Sequence, residues 1–332
     1  MTALDVSLPV ASQPSIEVLS GQAEQAESLG YDRLWLPETW GRDVVTVLSA
    51  IAERTTEIGI GSSIAPVYSR SPTLLGQTAA TLEELSDGRF RLGVGPSGPQ
   101  VVEHWHGSSF DRPLRYTRET IAVIKAVLSG EPVEYDGEFF ELSGFRLRCD
   151  PPTPAPPVDT AGMGPKAVEL AGRFADGWHA LMLTPDGMRS RLDAFRHGVE
   201  LGDRDRSNQR VTLSVPCCVD PDLEQARAVV RSHLAFYIGG MGTFYRDALS
   251  SQGHEDVAST VYERYNDGDR EGAIKAIPTS LLENLAVATT PAQATDALAR
   301  FRTIDGVDAV AISFPRGATQ TQISTTIEEL AP

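Results

Sequence analysis

Glu103, His104 and His106 close the stretch GVGPSGPQVVEHWHG at 93–107, directly behind a run crowded with glycine and proline. Carboxylate and imidazole are the side chains best suited to exchange protons near neutral pH. If the segment from Pro99 to Trp105 is helical, the three-residue spacing sets Glu103 and His106 on one face. Either could then serve as acid or base, and the alternative is a helix-start carboxylate with solvent-facing histidines. His179, beside Trp178 in GWHALM, is another proton-handling candidate or else a packed core histidine. His197, His233 and His254 stand in polar helical contexts and read as exposed. Arg42 and Asp43 read as a salt bridge near the site, while Trp40 and Tyr68 read as walls rather than acids.

A second segment could hold an anion. In AGMGPKA (161–167), Gly162, Met163 and Gly164 make a small turn before a helix begun at Pro165. Unpaired amides at such a helix start attract a phosphate, and Lys166 could add charge. The spacing is not the GxGxxG of a dinucleotide fold, and no GK[ST] phosphate loop is present. The cysteines Cys149, Cys217 and Cys218 have no CxxC or Cys/His ligand spacing, so they read as reduced and structural, with no metal site.

Elements must bring these segments together. Strand-like runs at 5–10, 33–37, 57–64, 90–94, 158–161, 177–183, 211–219 and 309–314 alternate with helical runs. Asp136-Gly137 inside VEYDGEFFEL marks a β-hairpin off this rhythm. Eight strands alternating with helices predict a (β/α)₈ barrel, one domain over 1–332, with a helical insertion at about 223–285 between strands seven and eight. A doubly wound open sheet is the alternative. In both, ligands bind at the carboxyl ends of the strands, where LPETWGRD, GSSIAPVYSRSP, GVGPSGPQ, AGMGPKA and WHALMLTP fall.

Composition narrows the function. The formal net charge is −16, and Lys125, Lys166 and Lys275 are the only lysines among 332 residues. Such an acidic chain has no electrostatic reason to bind nucleic acid or an anionic membrane. The acid excess fits a protein kept soluble in concentrated salt, and a GC-rich genome is the plainer explanation for scarce lysine. No run approaches the length of a membrane span, and MTALDVSLPVASQ lacks an export pattern, so a cytoplasmic location is expected.

The motifs WLPETWGRD, GSSIAPVYSRSP, SDGRFRLGVGPSGPQVVEHWHG and AGMGPKAVELAGRFADGW, in this order, resemble the bacterial-luciferase-like superfamily. Within it they are most similar to oxidoreductases that use the deazaflavin coenzyme F420; the acidic, lysine-poor composition resembles haloarchaeal members. The resemblance implies a (β/α)₈ barrel, a homodimer, and hydride transfer between F420 and a small organic molecule. It places a cis non-proline peptide at Ser63-Ile64, next to Ala65, behind the deazaflavin ring. It places Gly95, Pro96, Ser97 and Gly98 beside the ring, Gly162, Met163 and Gly164 at the phosphate, and Glu38 near the ring's polar edge. Two departures stand out. Thr39 replaces the histidine of the sugar-phosphate dehydrogenases, and their catalytic glutamate falls near Pro99, so sugar-phosphate oxidation by that route is not expected. An FMN-dependent monooxygenase and a non-catalytic deazaflavin-binding protein are the alternatives.

Overall fold

A computed structural model describes residues 2–332. Eight parallel strands close on themselves: Ala3–Ser7, Arg33–Leu36, Gly59–Ser62, Phe90–Gly95, Val158–Ala161, Gly177–Ala180, Arg210–Val219 and Ala309–Ser313. The seventh strand pairs with both the sixth and the eighth, and the eighth with the first, which completes the ring. The architecture is the expected (β/α)₈ barrel, and the open-sheet alternative does not hold.

Local chemistry sets the boundaries. Ser15, Asp43, Ser71 and Thr184 each accept a backbone N–H at the start of the following helix, satisfying a donor the helix leaves free. The first strand stops at Ser7 rather than continuing to Val10, because Pro9 has no N–H for the ladder. The third strand is interrupted: Gly59–Ser62 ends at the Ser63–Ile64 peptide, which is cis, and pairing resumes at Ala65–Pro66 against Val94–Gly95. The sixth strand ends at Ala180 instead of Leu183, and the chain turns at Met182, where φ is 54°. The hairpin forms as Val133–Asp136 against Glu141–Phe145.

Between the seventh and eighth strands lie the helices Leu223–Gly240, Phe244–Leu249, Glu255–Asn266, Arg270–Lys275 and Thr279–Leu285. They share an apolar core that includes Leu234, Ile238, Leu249, Val261 and Leu282, and Met163 and Met182 of the barrel pack into it. Two elements after it went unanticipated: the strand Val287–Thr289, paired with Cys217–Val219, and the helix Ala294–Arg302. No described helix is long and apolar enough to cross a membrane.

Candidate active site

The carboxyl ends of the second, third and fourth strands surround a cleft of about 380 Å³, whose lining includes Glu38, Arg42, Asp43, Arg70, Trp105 and His106. Its centre is an ion pair. Arg70 Nη1 donates to Glu38 Oε2 at 2.6 Å, and Nη2 donates to Oε1 at 2.8 Å, the two-pronged geometry that makes Arg–carboxylate contacts strong. The Val44 N–H also donates to Glu38 Oε1 at 3.1 Å, so the buried carboxylate is fully paired. Arg70 reaches Asp43 as well. Its hydrogen bonds to Glu38 hold the Arg70 guanidinium above its ordinary pKa. Burial would raise the Asp43 carboxyl, but Thr46 and Arg70 outweigh it and lower it.

Arg42 does not pair with Asp43 as expected. Its guanidinium donates to the carbonyls of Val10, Gln13 and Pro14, tying the loop after the first strand to this corner. Asp43 instead caps the helix Val44–Ala52 through Thr46 N at 2.7 Å.

His106 faces the same cleft. The helix Pro99–His104 is anchored by buried Val101 and Val102, and it ends before His106. The shared helix face expected for Glu103 and His106 therefore does not form. Glu103 is exposed and does not line the cleft, whereas His106 is half-buried, with an Nε2 that has no hydrogen-bond partner. Trp105 at the rim is 63% exposed.

The glycine loop sits against the interrupted third strand. Ser62 Oγ donates to Gly93 O at 2.8 Å and accepts from Gly93 N at 3.1 Å, and Val67 N donates to Gly95 O at 2.9 Å. A side chain at Gly95 would press on Ile64, so this glycine permits the contact between loop and bulge. Ser97 turns the chain at φ 60°, an uncommon conformation for a non-glycine residue.

Gly162, Met163 and Gly164 lie at the end of the fifth strand. A Cβ on Gly162 would meet the Ala167 Cβ at 2.5 Å, so only glycine lets the helix start this close. Trp178 Nε1 donates to Gly162 O, and Arg191 Nε donates to Met163 O at 2.8 Å. Gly164 caps the helix Pro165–Phe174 without a side-chain bond and has open space beside it, and Lys166 is exposed.

His179 belongs elsewhere. It is 5% exposed inside the barrel, its ring edge-on to Trp35 at 4.4 Å and its Nε2 3.5 Å from Asp159 Oδ2. Below it the barrel floor is charged. Arg91 grips Asp159 with bonds of 2.9 and 2.6 Å, and Asp5 accepts from Trp35 Nε1 and Arg210 Nη2, each at 2.8 Å. Burial alone would raise the Asp159 carboxyl, but Arg91 and then His179 hold it well below the usual carboxylate range. Burial wins at Asp5, whose carboxyl is raised in spite of Arg210.

Among the described residues, no group of three or more His, Cys, Asp or Glu side chains is placed to hold a metal ion. Of the predicted site residues, the structure brings Glu38 and His106 to one cleft. It sets Ser63, Ile64, Ala65 and Gly95–Gly98 together in the bulge and loop of the third and fourth strands, and leaves Glu103 outside the cleft. Arg70 was missed. It stands in the quoted YSRSP, and only a charge-pairing search between strand ends would have linked it to Glu38.

The model of one protein family, described as luciferase-like monooxygenase, matches residues 3–308. The chain belongs to that family. Over 283 residues this luciferase-like chain is 32% identical to a Mycobacterium tuberculosis protein named among the coenzyme F420-dependent oxidoreductases, covering 79% of this chain and 81% of that one. It is 27% identical over 269 residues to the 5,10-methylenetetrahydromethanopterin reductase of Archaeoglobus fulgidus, with 80% of each chain covered. In fold, the family member matches the coenzyme F420-dependent tetrahydromethanopterin reductase of Methanopyrus kandleri with a TM-score of 0.80 at 20% identity, over 99% of this chain and 98% of that one.

Proposed function

We propose that this protein is an oxidoreductase whose cofactor is coenzyme F420 and whose substrate is a small organic molecule. One observation carries the reading: at the barrel's carboxyl end, His106, whose Nε2 has no hydrogen-bond partner, lines one cleft with the Glu38–Arg70 pair. The residues present fit a flat, polar-edged ring bearing a phosphate. Ser63, Ile64 and Ala65, with Gly95–Gly98, would flank the ring, and Glu38, already gripped by Arg70, would present an ion pair to its edge. The Lys166 N–H at the helix start after Gly164, which no side chain caps, would take the phosphate together with the Lys166 ammonium.

When bound, the deazaflavin supplies hydride donor or acceptor chemistry. The chain's own residues do the rest. His106 holds or releases a proton at Nε2 as the substrate's charge changes, and Trp105 forms part of the cleft's rim. Glu103 is too exposed for that role, and His179 supports the floor beneath the bulge. A homodimer and a high-salt habitat go with this reading, the first carried by the resemblance and the second by the acid excess.

Fluorescence titration of the purified protein with F420 and with FMN tests it. Tight F420 binding with much weaker FMN binding is expected. Tight FMN binding without F420 binding would make the protein a flavin monooxygenase, and binding of neither would remove the cofactor reading.

A further inference from the structure

The helices between the seventh and eighth strands reach the mouth through a histidine that the sequence places on an exposed helix. The structure corrects that expectation. His233, on the helix Leu223–Gly240, is half-buried, and its Nδ1 accepts a hydrogen bond from the Arg316 N–H at 2.9 Å. Arg316 lies three residues beyond the eighth strand, so the contact sits at the carboxyl end of the barrel. Tyr237 packs on the imidazole at 4.6 Å, and Tyr245 meets Tyr237 edge-on at 4.9 Å. The next residue back, Phe244, reaches Phe110 at 6.0 Å, in the loop that follows His106. The polar rings His233, Tyr237 and Tyr245 thus form a row from the eighth strand's end, and the adjoining Phe244 meets the loop that follows His106.

Their neighbours settle what these rings offer. Because Nδ1 accepts, the imidazole proton sits on Nε2. Burial, then Arg316, lowers His233 to about 4, so the ring is a neutral donor at pH 7. Burial also raises both phenols, keeping them protonated. Among the described residues neither phenol nor the imidazole Nε2 has a hydrogen-bond partner. Arg316, the cation beside His233 and Tyr237, lies over the Phe236 ring at 4.5 Å with its side chain exposed. Neutral donors on an aromatic wall match an uncharged acceptor oxygen. A carboxylate or phosphate at this wall would meet only the exposed, solvent-screened Arg316 as counter-charge, which offsets little of its desolvation.

We propose that His233, Tyr237 and Tyr245 form the specificity wall of this site, taking a substrate with an uncharged carbonyl oxygen on an apolar body and disfavouring its carboxylated counterparts. The proposal rests on the reading that cofactor and substrate meet at this mouth.

Acetophenone and benzoate test it, since they share a ring and differ in charge at the carbonyl end. Binding of each to the full chain is followed by ligand-observed NMR at millimolar concentration. Acetophenone should bind at least about tenfold more tightly than benzoate, and Tyr237→Phe and Tyr245→Phe should each weaken it about fivefold, the loss of one neutral hydrogen bond. Melting curves of both variants confirm that they fold, and the wild-type comparison needs no variant at all. Equal or tighter benzoate binding, no binding of either probe, or unchanged acetophenone affinity in the folded double variant overturns the wall. F420 titration of the same samples reports separately: failure there removes the cofactor reading and leaves the ketone–benzoate comparison standing.

Discussion

The two ends of the barrel interior are both charged, yet they do opposite things. At the floor, Arg91 and Asp159 close on each other, Arg210 and Trp35 close on Asp5, and Arg33 donates to the carbonyls of Ile60 and Arg89. Glycines on neighbouring strands make the room. A Cβ on Gly59 would lie 2.5 Å from Arg33 Cζ, and one on Gly177 would collide with Asp159. At the mouth, Arg70 closes on Glu38 and Asp43, and His106 lines the same cleft with an Nε2 that has no hydrogen-bond partner. The comparison teaches that pairing alone does not mark a site: what sets the mouth apart is the cleft that its ion pair and His106 line together.

The largest effect should come from breaking the floor. Asp159→Ala leaves the Arg91 guanidinium buried without its partner and should cost about 3–5 kcal/mol in denaturant unfolding. Arg70→Gln at the mouth should cost less, about 1–3 kcal/mol, because water can reach Asp43 and part of the cleft. It should instead weaken F420 binding, measured by fluorescence titration. A mouth variant that unfolds the protein more than the floor variant would break the contrast.

Acid should separate the two ends more gently. Asp159 has a folded pKa below its unfolded value of about 3.9, so its stabilisation is complete above that value and is lost only as pH falls further. Asp5, raised by burial, runs the other way and is relieved by protonation. His233 is lowered to about 4 from about 6.5 unfolded, so the stability of its neutral form is present above about 6.5 and drains as pH drops toward 4. The melting temperature should therefore fall between pH 6.5 and 4.5, and His233→Gln, which does not titrate, should flatten that fall. An unchanged slope would detach His233 from the mouth's stability.

Much of this was legible in the sequence, for physical reasons. Strand and helix alternation, turn glycines at strand ends and the Gly162–Gly164 turn are local signals, and they located the barrel and its working face. Pairings that depend on register were not legible. Nothing near Arg70 in the chain announces Glu38, which lies 32 residues away. Gly59 and Gly177 read as ordinary strand residues until the neighbouring strand shows Arg33 and Asp159 filling their space. His106 was assigned to a helix that stops two residues short of it, because Gly107 and the polar residues beyond set the boundary only once Val101 and Val102 are seen to be buried. The three-residue strand Val287–Thr289 is too short to carry a period.

The most direct test of where the cofactor sits compares the mouth with the opposite end, where a larger groove of about 720 Å³ opens beside Glu84, Asp87 and Asp150. F420 is titrated into the wild type, into Ser63→Phe at the bulge and into Glu84→Arg at the groove, with melting curves run on each. The expected result is that Ser63→Phe weakens F420 binding at least about tenfold while still melting cooperatively, a difference of about 1.4 kcal/mol, and that Glu84→Arg binds like the wild type. Full binding by Ser63→Phe together with loss in Glu84→Arg would contradict it.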